Sequence, residues 1–205
     1  MTSTKQISET VIAYTAEVAA SIVARKSYET EQNAENLNIQ KTLDGLAKDF
    51  ASVDVCKFMH TANVDANFIN RQERKNKRFN VYSAQKVANV ARAAAAAESL
   101  NAYSATLLRT AIALTRADMS MTHRDAHSAL CLDLKVDAAK AQHIVRYGKN
   151  IASNTADTQS SSSINALQMF SVFKEIRDDK NEVAYVVDLS SPVTKKLCKV
   201  LDIAL

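Results

Sequence analysis

The chain has 205 residues, 47% of them hydrophobic, and a formal net charge of +4. That apolar fraction excludes wholesale disorder; no apolar run reaches the roughly 18 to 20 residues of a membrane helix, and the opening "MTSTKQISETVIAYTAEV" lacks the basic-then-apolar build of a secretory signal. There are 2 glycines and 1 proline where average usage gives roughly 14 and about 10, so glycine-built phosphate loops are excluded and helices joined by Asn, Ser and Asp turns are expected.

In chain order, Ile7, Val11, Tyr14, Val18 and Ile22 repeat at helical spacing and predict an amphipathic helix over 4–32. The stripe fits either one face of a bundle helix or a short coiled-coil seam. The polar stretch "ETEQNAENLN" reads as a loop or a frayed end. Leu43, Leu46, Phe50 and Val53 continue the helical spacing, and a further helix is expected over about 60–78, burying Val64, Phe68 and Ile69 and ending in "NRQERKNKRF". Ser83 then reads as the N-cap of "SAQKVANVARAAAAAESL", and "AYSATLLRTAIALTR" follows as a helix with Leu107, Leu108, Ala111, Ile112 and Leu114 apolar.

Thr122 and Asp125 resemble a capping box for "HRDAHSALCLDL". Asp137 reads as the cap of "AAKAQHIVRY", with Gly148 at its far end. "NIASNTADTQSSSS" is the least apolar stretch and a candidate boundary, followed by the helix "SINALQMFSVF". Val183, Tyr185 and Val187 alternate as a strand should, "DDKN" (Asp178 to Asn181) supplies a hairpin turn, and Pro192 opens a last helix with Val193, Leu197, Val200 and Leu201. The expected fold is mainly α: a helical bundle with one C-terminal β-hairpin. Residues 1–149 form an oligomerisation part with a basic centre, and residues 150–205 form a helix–hairpin–helix part.

Charge is uneven along this order. Residues 1–70 hold 6 Lys/Arg against 9 Asp/Glu, residues 71–149 hold 14 against 6, and residues 150–205 hold 6 against 7. The basic centre is densest in "RQERKNKRF". On a helix Arg71, Arg74, Lys75 and Arg78 would share one face, with Lys77 beside them and Lys86 and Arg92 continuing the positive character. Such a stripe neutralises phosphates without reading sequence. Phe79 and Tyr82 could stack on exposed bases. The same residues also fit a solvated face, or one that pairs with the acidic N-terminal segment of another copy.

The stretch "SSSSINALQMFSVFKEIRDDKNEVAYVVDLSSPVTKKLCKVL" resembles, in form, the recognition helix, wing and following helix of winged-helix regulators, the multiple-antibiotic-resistance regulator family in particular. The resemblance covers the last quarter of the chain. It implies a recognition helix over Ser160 to Phe170, a wing tip at Asp178 to Asn181 that includes Lys180, and a polar cap at Ser190 to Pro192. Ser161, Ser162, Asn165 and Gln168 would then donate to phosphates and base edges.

Three widely spaced cysteines, Cys56, Cys131 and Cys198, do not make a disulfide framework and point to a reducing, cytoplasmic compartment. Cys56 and His60, and likewise His123 and His127, stand four apart, a spacing that brings two ligands to one helix face; these four are zinc candidates. No nucleophile elbow or paired-carboxylate motif occurs, so neither an enzyme nor a cofactor is expected. The expected function is that of a non-enzymatic DNA-binding accessory or regulatory protein, homo-oligomeric, gripping the backbone through the basic stripe. The alternative is a structural or assembly protein, of the viral scaffold or capsid-associated kind, that acts by self-association or within a larger protein assembly.

Overall fold

The stripe at the N-terminus faces inward. In the computed structural model, which describes residues 3–74 and 77–205, a 30-residue helix α1 (Ser3–Gln32) buries Val11, Tyr14, Val18 and Ile22, while the side chain of Ile7 lies outside the described residues. The stripe is therefore bundle packing within the chain's own fold. Helix α1 packs against α2 (Leu37–Asp49) and α3 (Val53–Thr61), and α4 (Val81–Ala96) packs against both of those. Each of these later helices starts at a side-chain cap. Asn36 accepts from the Ile39 amide at 3.2 Å, Ser52 caps α3, and Asn80 accepts from the Tyr82 and Ser83 amides at 2.8 and 3.3 Å. The start expected at Ser83 thus lies at Asn80, which offers its oxygen to two amides at once. Phe68 sits at the centre of the core, meeting Phe50 and Phe79 edge-on with ring centroids 6.0 and 5.6 Å apart. Ala84, Ala88 and Ala91 let α4 approach closely.

The helix expected over 60–78 does not form. Helix α3 stops at Thr61, Asn63 takes a left-handed turn (φ 55°), and Asp65 caps a turn by accepting from the Asn67 amide at 2.9 Å. A single 3₁₀ turn, Phe68–Asn70, buries Phe68 and Ile69. The basic run then folds as an antiparallel ribbon, β1 (Gln72–Arg74) against β2 (Lys77–Arg78), closed at its base by the Phe79 amide on the Arg71 carbonyl at 2.8 Å. Four like charges at i, i+3, i+4 and i+7 would repel on a helix face. The ribbon instead places Arg74 in β1 and Arg78 in β2.

These elements form one compact unit, Met1–Glu98; a second spans Ser99–Leu205. The boundary falls well before the expected one at 149/150, because α7 (Ser153–Met169) packs against α5 (Ala102–Arg116) and α6 (His123–Leu130). Helix α7 begins inside the stretch that composition marks as a loop. The capping box forms as the spacing predicts: Thr122 Oγ1 accepts from the Asp125 amide at 3.2 Å, and Asp125 Oδ2 accepts from the Thr122 amide at 2.9 Å. Residues 137–147 form a turn at 138–140 and a 3₁₀ turn, Ala141–His143, instead of the expected helix, so Gly148 ends none. The hairpin is β4 (Phe173–Arg177) and β5 (Val183–Val187), with a two-residue strand β3 (Met121–Thr122) on the other edge of β5. Helix α8 (Pro192–Val200) closes the unit and buries Val193 and Leu197.

Helix ends are made without glycine. After α3, α5, α7 and α8 the residues Asn63, Asp118, Ser171 and Asp202 stand at φ of 54° or 55°. In each case the next amide returns to a carbonyl five residues earlier, as Val64 to Met59 at 3.0 Å and Val172 to Leu167 at 2.9 Å.

Candidate nucleic-acid interface

The ribbon is the most basic segment of the chain. Residues 71–79 hold five Lys/Arg against one Glu, a net of +4, equal to the charge of the whole protein. The rest of the first unit is net negative, since residues 1–98 together hold 13 Lys/Arg against 11 Asp/Glu. Positive charge in this unit is therefore concentrated on one short segment. Arg71, Gln72, Glu73 and Lys77 are exposed. Arg74 is in β1, its side chain outside the described ones, and Lys75 lies outside the described residues altogether.

Two of the guanidinium groups are held by aromatic faces. Arg71 lies over Phe79, 5.2 Å from the ring centroid, and Arg78 lies over Tyr28 at 3.8 Å. Stacking fixes the plane of an arginine and leaves its N–H edges to meet a phosphate. Arg78 also donates to Asn70 Oδ1 at 3.3 Å, and Arg71 pairs with Glu73 at 3.3 Å on the surface, an ion pair worth little.

A buried polar network anchors the ribbon base to α1. Arg25 and Glu29, 4% and 3% exposed, pair at 2.7 Å; Arg25 also donates to the Ile69 carbonyl, and Glu29 accepts from Asn33 at 2.7 Å. Asn70 Nδ2 donates to the Ser21 carbonyl at 2.9 Å and to Asn67 Oδ1 at 2.8 Å. Sequence reasoning missed these residues, although a signal existed. Positions 25 and 29 continue the buried stripe of α1 at spacing 3 and 4, so charged residues stand where the helix faces the core.

Lys86 is a different kind of cation. It is half-buried on α4, and burial pushes its ammonium down to about 8. Its position suits packing rather than phosphate contact.

In the second unit the serines of α7 turn inward. Ser160, Ser162 and Ser163 are buried, Ser162 donates to the Thr158 carbonyl, and Ser163 accepts from Ser104 of α5 at 3.0 Å. Ser161 is half-buried, donates to the Asp157 carbonyl at 2.9 Å and meets His123 Nε2 at 3.2 Å. Asn165 is half-buried, and Gln168 reaches Glu175 of β4 at 3.3 Å. Lys180 is exposed at the hairpin tip, among Asp178, Asp179 and Glu182. A cavity of about 840 Å³ beside that tip is lined by charges of both signs, including Arg124, Lys135, Lys180, Asp118, Asp137 and Glu182. This balance favours neither anions nor cations.

The zinc candidates do not converge. Cys56 is buried and donates to the Phe50 carbonyl at 3.1 Å, and burial pushes its thiol up. His60 packs edge-on to Tyr14, with centroids 5.2 Å apart. His123 faces Ser161, and His127 Nε2 lies 2.8 Å from the Ser153 carbonyl. Among the described residues no group of three or more His, Cys, Asp or Glu is placed to hold a metal ion. Helical spacing aligned each pair, but their neighbours are serines, carbonyls and rings. Among the described residues, no helix is long and apolar enough to cross a membrane.

Comparison of the chain with protein-family models, curated proteins and solved structures finds no match to any of them.

Proposed function

We propose that the protein is a non-enzymatic, backbone-directed DNA-binding protein whose contact element is the β1–β2 ribbon. The observation that carries this reading is the concentration of the first unit's positive charge on an exposed ribbon whose base is fixed by Arg25, Glu29, Asn70 and Tyr28. A two-stranded ribbon fits a DNA groove, and stacked arginines meet phosphate without first losing conformational freedom. Arg71, Arg74, Lys75, Lys77 and Arg78 supply the charge. Lys86, Ser161, Ser162, Asn165 and Gln168 fall outside this contact set because their environments are packed. The winged-helix resemblance offers Lys180 as a further backbone contact, but the carboxylates around it weaken the local potential.

The test is a fluorescence-anisotropy titration with duplex and single-stranded DNA at two salt concentrations. Arg74→Ala with Lys77→Ala weakens binding uniformly across sequences and reduces the salt slope by about 2, one unit for each phosphate no longer neutralised. Asn165→Ala with Gln168→Ala leaves affinity and sequence preference unchanged. Equal affinity in the ribbon variant, or weaker binding in the α7 variant, overturns the assignment.

A further inference from the structure

Helix α1 is apolar on two sides. Beyond its buried stripe, Ile12 and Val23 are 59% and 66% exposed, with Ala16 and Ala19 exposed between them. Extended by one position at each end, the outer row is Glu9, Ile12, Ala16, Ala19, Val23 and Lys26, spaced 3, 4, 3, 4 and 3. That is the spacing of a coiled-coil seam.

The row is self-complementary when reversed. Place a second α1 antiparallel so that Ala16 meets Ala19 of the copy. Ile12 then meets Val23, and Glu9 meets Lys26, at both ends and with every residue of the row matched. A twofold axis requires each contact to appear twice with the roles exchanged. The middle is small, so the helices can approach closely, the flanks are branched and apolar, and the ends carry opposite charge. A parallel pairing would instead set Glu9 against Glu9 and Lys26 against Lys26. Lys26 already holds Asp44 at 2.5 Å, but the two side chains are 46% and 56% exposed, which leaves room for a second carboxylate.

We propose that the outer face of α1 pairs with α1 of a second copy of this chain, antiparallel, about a twofold axis between Glu17 and Val18. Helix α1 thus serves two cores, one within the chain and one between copies. A single helix pair buries less than the ~800 Å² per partner of a standard complex, so the dimer belongs with the weak, concentration-dependent associations.

Sedimentation velocity of the full chain over a concentration series tests this. The expected result is a monomer–dimer equilibrium that Ile12→Glu and Val23→Glu each abolish without changing the circular dichroism, since both side chains are exposed. Glu9→Lys alone and Lys26→Glu alone weaken the dimer several-fold, and the double exchange restores it. Register is read with one added surface cysteine, the three native cysteines being buried: a mixture of Ile12→Cys and Val23→Cys proteins oxidises to a dimer containing one of each, and neither protein crosslinks with itself. A monomer at concentrations well above the micromolar range, self-crosslinking of Ile12→Cys, or a double exchange no better than its singles overturns the proposal.

Discussion

The two units solve the same packing problem with different side chains. The first buries a cluster of phenylalanines, Phe50, Phe68 and Phe79, and admits charge to its interior only as the Arg25–Glu29 pair among the described residues. The second buries Ser104, Thr106, Thr110, Ser128, Ser160, Ser162, Ser163 and Thr194 among its apolar residues. Several of these hydroxyls are satisfied locally. Ser160 and Ser162 donate to carbonyls three and four residues back, and Thr110 both donates to and accepts from Val145. A large ring stabilises through area removed from water, whereas a small hydroxyl costs little volume and stays neutral if bonded. Packing in the second unit therefore leans on hydroxyls bonded between segments, Ser104 to Ser163 and Thr110 to Val145, and the first unit depends on shape.

Substitutions of matched severity should separate the two. The largest effect is expected for Phe68→Ala, which removes the ring between two others and costs about 3–5 kcal/mol. Native-state hydrogen exchange should show the weakening in residues 3–98 first. Ser163→Ala removes a single oxygen yet leaves the buried Ser104 hydroxyl without its acceptor, at about 1–3 kcal/mol, with faster exchange in α5 and α7. If Ser163→Ala is silent, the hydroxyl network is not what holds the second unit. Next comes the pH profile of the first unit. Lys86 titrates at about 8 in the folded chain, below its usual 10.5, so between those values the unfolded chain binds more protons and stability rises with pH. Lys86→Met should flatten that rise in denaturant midpoints taken across this window. The smallest effect is a gain. Ser171→Gly relieves a left-handed residue at the end of α7 and should stabilise the second unit by about 1 kcal/mol in thermal melts.

The contrast also decides what the sequence could reveal. Helix α1, the Thr122–Asp125 box, the hairpin and α8 were legible because each carries a signal in its own residues: an apolar period, a reciprocal cap, an alternation, a proline at the first turn. Helix α7 was not. Its first half is polar by composition, and only the packed fold shows that serines bonded to their own helix can be core. The ribbon was hidden for the opposite reason. Its arginines have helical spacing, but Asn63 and Asp65 had already turned the backbone away. Of the candidate site, the basic run itself was visible, whereas the residues that hold it, Tyr28 on α1 among them, are remote from it in sequence and meet it only in the folded chain.

Tyr28 has a metric consequence. In an antiparallel pair centred between residues 17 and 18, Tyr28 of one copy lies level with position 7 of the other. At 1.5 Å per residue the two tyrosines stand about 30 Å apart along the helix axis. Each carries the base of a ribbon through Arg78. One turn of duplex DNA is about 34 Å. The length of α1 would then act as a ruler, presenting two ribbons at nearly the repeat of the double helix, and a duplex shorter than one turn would engage only one of them.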